Sequence, residues 1–181
     1  MKKGLYAALF SSLVTCAPSY TPPPTLPSSI NEISTPEDTE KWLEDILTYQ
    51  HDDQLYDTDD FWASCALTYQ NRGGDCEDYA ICAAAILQGD VDEGYIITLN
   101  SEDSAHAVFA YRTATGWGII SNDHNQFRLP LFDSLHEAMW DSLHTNYSRY
   151  SRYDYDGVDL ANGTGDLESQ FHFRGTYRLE K

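Results

Sequence analysis

The sequence predicts an α+β domain in which N-terminal helices pack on an antiparallel sheet, and three observations predict it. Apolar residues recur at helical spacing behind capping residues from Thr35 to Gly89. Beyond Gly89 the apolar segments shorten to "GYIITLN", "HAVFAYRT" and "GWGIISN", rich in β-branched and aromatic residues and parted by turn formers. Helices followed by strands is the α+β order, not the alternation of a parallel sheet. Finally, the 181 residues leave room for one domain with one core, at roughly 100–200 residues per domain.

The elements follow in order. "STPEDTEKWLEDILTYQ" opens with Ser34 or Thr35 as N-cap and Pro36 at the first helical position; Trp42, Leu43, Ile46 and Leu47 then form an apolar face. A second helix is expected over "DDFWASCALTYQ", broken by Gly73 and Gly74. The third, "DCEDYAICAAAILQG", is apolar and alanine-rich, which suits a central helix enclosed by other structure and stopped at Gly89. The three short apolar segments then read as an antiparallel meander. "FRLPLFDSLHEAMWDSLHTNY" gives a strand and a helix carrying Leu135, Ala138, Met139 and Leu143, and "SQFHFRGTYRLE" a closing strand.

Composition excludes some functions. The chain is 41% hydrophobic and 13% aromatic, enough for a packed core. Its net charge of -18 argues against nucleic acid and against adhesion to an anionic membrane, since both need clustered Lys and Arg. At the start, Lys2 and Lys3 precede "GLYAALFSSLV", an apolar run too short to span a bilayer, so residues 1–15 read as an export signal peptide. "LVTC" puts Cys16 where bacterial lipoproteins carry the lipid-modified cysteine, which it resembles apart from Thr15; cleavage without lipidation is the alternative. Residues 16–34 have the Pro/Ser/Thr composition of a tether, and residues 35–181 form the domain. The expectation is a protein exported to the cell envelope or periplasm, reaching a membrane only through a lipid anchor at Cys16. With Cys16 as anchor, Cys65, Cys76 and Cys82 remain; three cannot all pair, so at least one thiol is free even if Cys65 and Cys82 are bridged.

The chemistry turns on the opening of the central helix. Asp75 is placed as N-cap and Asp78, three residues on, completes a form of capping box. Cys76 then sits in the first turn, where free N–H groups and the positive end of the helix dipole favour a thiolate. Asp75 and Glu77 push the other way, so a nucleophilic Cys76 needs a cationic partner, usually histidine. His106 opens an alternating strand, with Val108 and Ala110 on its face and Ala107, Phe109 and Tyr111 on the other. On the next strand Asn122 and Asp123 each offer an acceptor for the second imidazole N–H. Cysteine on a helix, histidine on a strand and an acid or amide on the next strand make an acyl-transfer arrangement.

"GGDCEDYA" (Gly73 to Ala80) resembles the nucleophile motif of transglutaminase-like cysteine proteases, and "HAVFAYRTATGWGIISND" (His106 to Asp123) is similar to the histidine and aspartate strands of the bacterial members. The resemblance implies a papain/transglutaminase-like fold and a Cys76, His106, Asp123 triad acting on the amide bonds of protein or peptide substrates. Aligned without a gap, the acidic residue would fall near Ser121, so Asp123 needs a slip of two residues, and Asn122 is its rival because an amide orients the histidine in papain. The implied chemistry is attack by sulfur on an amide carbonyl to give a thioester, released by water or an amine. The oxyanion would meet the Cys76 N–H and one side chain: Gln70, at papain's spacing, or Trp42 or Trp62, as in transglutaminases. No cofactor and no metal are implied.

Elsewhere, "RYDYDGVDLANGTGDLE" lacks the spacing of an EF-hand loop, "HDDQLYDTDD" reads as a solvated turn, and the remaining histidines show no zinc-binding spacing. "RYSRYDY" reads as a surface loop with tyrosines against the sheet. Two rival readings stand beside the protease: a binding module that kept the fold without activity, and a peptidoglycan amidase of the papain-like group, with His124 as its second histidine.

Overall fold

The computed structural model describes residues 24–101 and 104–180. The expected signal peptide, Cys16 and the first part of the tether lie outside the described residues. Where description begins, Ser28–Glu32 forms a 3-10 turn, and Leu26 and Ile30 pack against the core. Among the described residues, no helix is long and apolar enough to cross a membrane.

Helix α1, Pro36–Ile46, starts where its cap dictates: the Thr35 side chain accepts from the Asp38 N–H, and Pro36 occupies the first turn, where a missing N–H costs nothing. A two-residue strand β1, Thr48–Tyr49, and a single turn α2, Asp52–Leu55, follow. The second helix is shorter than the sequence predicts. Helix α3 covers Cys65–Asn71 only, because the preceding segment is held extended. Its N–H groups go to tertiary partners: Phe61 donates to Asp52, Trp62 to Asp166 and Ala63 to Asp78. Arg72 then ends α3 in the left-handed region at φ 57°. The glycines, expected as helix breakers, form strand β2, Gly73–Gly74, which pairs in parallel with β1. This bridge sets Tyr49 beside Gly74, immediately before α4, Cys76–Leu87.

The remaining strands are β3 (Glu93–Asn100), β4 (Ala105–Thr113), β5 (Gly116–Ile120), β6 (Arg128–Phe132), β7 (Arg149–Asp154) and β8 (His172–Arg178), with α5 (Leu135–Leu143) between β6 and β7. They form a six-stranded antiparallel sheet in the order β6-β5-β4-β3-β7-β8. The β3–β4–β5 run is the expected meander, and β6, expected as a strand, extends it by pairing with β5. Strand β7 corrects the reading of "RYSRYDY" as a surface loop: its buried Tyr150 pairs with Leu99, and the segment lies inside the sheet.

The sheet has helices on both faces. Ile96, Phe109, Tyr111 and Ile120 pack with the buried face of α4, whereas Ile97, Leu99, Val108, Ala110 and Ile119 pack with Leu135, Ala138, Met139 and Leu143 of α5. Alternate residues of one strand thus feed two cores, as a period of two requires. The long connection after β7 closes the first core with Tyr155, Val158, Leu160 and Leu167. Helix α4, with Ile81, Ala83, Ala84 and Leu87 fully buried, is the most enclosed helix, as its composition implies.

Candidate active site

Three features fix the start of α4. Asp75 holds the N-cap position in extended backbone, but its side chain makes no capping hydrogen bond, so the expected box is met in position and not in bonding. Asp78 is fully buried and turns one oxygen to the Ala63 N–H at 2.8 Å. Gly74 completes the start: a Cβ there would lie 2.6 Å from the Asp78 carboxylate.

Cys76 and His106 line one cavity of about 470 Å³, together with Trp62, Tyr153 and the carboxylates of Asp60, Asp75, Glu77 and Glu168. No hydrogen bond joins the two. The Cys76 thiol donates instead to Glu77 Oε2 at 2.9 Å. Burial, then the charge and hydrogen bond of Glu77, then Asp75 push the thiol well above its ordinary range, while the Ala107 N–H works against the rise. Asp75 is itself pushed up to about 8 by burial and by Glu77. At rest the sulfur is a protonated thiol in an acidic box.

His106 stands at the open end of β4 with Tyr147 stacked on it, centroids 6.0 Å apart. Burial lowers its pKa, and Gln126 and Asp123 counter part of the fall. Its Nε2 lies 3.0 Å from Ser121 Oγ, at the end of β5. Ser121 donates to Gln126 Oε1 at 3.1 Å and accepts from the Asp123 N–H at 3.2 Å; Gln126 Nε2 donates to Asp123 Oδ2 at 3.2 Å. Ser121 and Gln126 are buried, at 1% and 5% exposure.

The side chain hydrogen-bonded to His106 is therefore Ser121, the position reached without a gap in the motif. The Asp123 carboxylate reaches His106 only through Gln126 and Ser121: it caps the 3-10 turn His124–Gln126, accepting from the Asn125 N–H and Gln126. Asn122 points elsewhere, into a neighbouring cavity of about 430 Å³ bounded by Glu44, Gly74 and Asp75, with its Oδ1 buried and unpartnered. Gln70 is exposed on α3 and does not line the thiol cavity, because α3 ends before the chain turns back to α4. Trp62 does line it, in edge contact with Tyr153 and Phe171, whereas Trp42 stacks on Tyr69 outside it.

His124 does not approach His106; its ring nitrogens face Glu40 and Glu44 on α1. Asp52 corrects the solvated-turn reading of "HDDQLYDTDD": it is 2% exposed, and its pKa is raised to about 6 by burial and then by Asp75. A divalent cation would find ligand atoms within 4.8 Å of one another in four groups among the described residues: Glu40/Glu44/His124, Asp75/Cys76/Glu77, Asp52/Asp75/Asp78 and Asp52/Asp60/Glu77. Such carboxylate groupings also occur without an ion, and no metal centre is assigned.

Gln126 and Tyr147 escaped the sequence reading; Ser121 was met there only as the ungapped position in the motif, and Glu77, expected to oppose the thiolate, is also the acceptor of the thiol hydrogen bond. Comparison with protein-family models and with curated protein sequences found no match to this chain.

Proposed function

We propose that this protein is an exported thiol hydrolase that cleaves amide bonds of protein or peptide substrates through Cys76 and His106, on a papain/transglutaminase-like fold. The observation that carries the reading is the joint placement of a helix-start cysteine and a strand-start histidine on one cavity, with the histidine's outer nitrogen held by a buried hydroxyl. His106 takes the thiol proton as sulfur attacks the carbonyl carbon. The tetrahedral oxyanion collapses with loss of the amine, which leaves with the proton from His106. Water then attacks the thioester and releases the acid. The Cys76 N–H, free in the first turn of α4, is a donor for the oxyanion, with Trp62 beside the site. Transfer to an amine would replace water in the last step; hydrolysis is the favoured outcome. Residues 1–15 direct export, and Cys16 carries a lipid that tethers the domain to the cell envelope.

One observation favours a second reading, a binding module without activity: the resting thiol donates to Glu77 rather than to His106. Reaction of the soluble domain, residues 28–181, with iodoacetamide separates the two. An enzyme shows Cys76 alkylated faster than Cys65 and Cys82, by a margin that His106→Ala removes, and hydrolysis of a casein-derived peptide mixture that Cys76→Ser abolishes. Cleavage surviving Cys76→Ser, or alkylation of Cys76 indifferent to His106, overturns the assignment.

A further inference from the structure

We propose that Ser121 and Gln126 are positioning residues: a hydrogen-bond chain of one fixed direction, running from His106 through Ser121 and Gln126 to Asp123, keeps the imidazole hydrogen on Nε2 and leaves Nδ1 as the base. The inference rests on the thiol-hydrolase reading for its kinetic consequence, but not for its proton order.

The direction follows from counting donors. An ionised carboxylate only accepts, so the side-chain atom that Gln126 turns to Asp123 is its NH₂, at 3.2 Å. That turns the Gln126 carbonyl oxygen to Ser121, 3.1 Å away, where it too can only accept. Ser121 has a single hydrogen, and it goes to Gln126. Its oxygen already accepts from the Asp123 N–H, and one lone pair remains for His106 Nε2 at 3.0 Å. Two acceptors cannot face each other there, so Nε2 must carry the hydrogen. Because Ser121 and Gln126 are buried at 1% and 5% exposure, water is poorly placed to relieve a reversed link. The carboxylate that usually touches a catalytic imidazole is thus replaced by one acting through three hydrogen bonds.

The same count says how the chain reverses. In Asp123→Asn the side-chain oxygen can keep the two bonds from Asn125, and the new NH₂ takes the place of Oδ2. Gln126 must then flip to present its oxygen to that NH₂. Ser121 next accepts from Gln126 and donates to His106 Nε2, which forces the hydrogen onto Nδ1.

The test reads the tautomer directly, by long-range ¹H–¹⁵N correlation of the His106 ring in the full-length protein, at a pH where the imidazole is neutral. In the wild type Nδ1 is expected to give the unprotonated, pyridine-type shift; finding it at Nε2 overturns the proposal and needs no variant. Asp123→Asn is expected to exchange the two shifts and to lower kcat about 10²-fold, the scale of general-base loss, with KM within about twofold. Unchanged shifts in a folded Asp123→Asn also overturn it. Failure of the hydrolase reading would show differently, as cleavage that survives Cys76→Ser while the tautomer assignment stands.

Discussion

At the scale of single residues, the site is a competition over one proton. The first turn of α4 offers Cys76 free N–H groups and the positive end of the dipole, which favour thiolate. Burial and Glu77 oppose it, and they prevail. The balance makes Glu77 a brake on ionisation of the Cys76 thiol. Replacing it by Gln removes the charge while keeping an acceptor near the sulfur. We expect Glu77→Gln to raise the rate of Cys76 alkylation at pH 7 by about threefold to tenfold, since rate follows the thiolate fraction. Burial, the larger cause, stays in place, so the thiol does not become fully ionised. Mass spectrometry of iodoacetamide adducts measures it, and an unchanged or slower rate would show that the carboxylate does not hold the proton.

At the scale of elements, Cys76 is placed by the β1–β2 bridge and the glycine pair ahead of α4. A Cβ on Gly74 would meet Asp78 at 2.6 and 2.7 Å and Thr68 at 3.0 Å, all on packed elements. Gly74→Ala should therefore act as overpacking, destabilising by about 1–3 kcal/mol and shifting the start of α4. Gly89→Ala, with nothing within 4 Å, is the control and should leave Tm nearly unchanged. Equal Tm for the two variants would mean that the approach at Gly74 is not tight. Much of this element logic was legible in the sequence. The Thr35 cap with Pro36, the alanine-rich α4 and the alternation of β4 are local signals, as are the helix-start setting of Cys76 and the strand-start setting of His106, which line one cavity. What was not legible depends on partners distant in sequence. Residues 61–63 resemble a helix, but Asp52, Asp78 and Asp166 take their N–H groups and hold them extended. Strand β7 reads as a loop because its arginines and tyrosines gain their partners only from β3 and β8. Ser121 replaces Asp123 as the partner of His106 because a 3-10 turn folds the acid back onto Gln126.

At the scale of the whole molecule, acidity is concentrated where the first core meets the site, and this makes stability depend on pH. Asp75 is raised to about 8 and Asp52 to about 6, both chiefly by burial, against roughly 3.9 for an unfolded aspartate. A folded pKa above the unfolded one means that the native state binds more protons in between. Stability from these groups is therefore fully present below about pH 4 and is lost as pH rises through the folded values. His106 has the opposite effect on the acid side: its lowered pKa makes the unfolded state the better proton binder, so its contribution falls as pH drops below about 6.5. The two effects overlap below pH 6.5, leaving the window above it to the carboxyls that burial raises, Asp75 together with its neighbours Asp78 and Glu77. The net charge of -18 acts in the same direction, since each further ionisation adds to self-repulsion. We expect Tm, measured by calorimetry in the presence of a chelator, to fall by about 3 °C or more between pH 6.5 and 8.5. Asp75→Asn should flatten that slope, because the amide keeps the shape and has no proton to lose. A Tm that is level or rises across this window would mean that Asp75 is already ionised in the folded protein, and that the acidic box is held by something other than its proton.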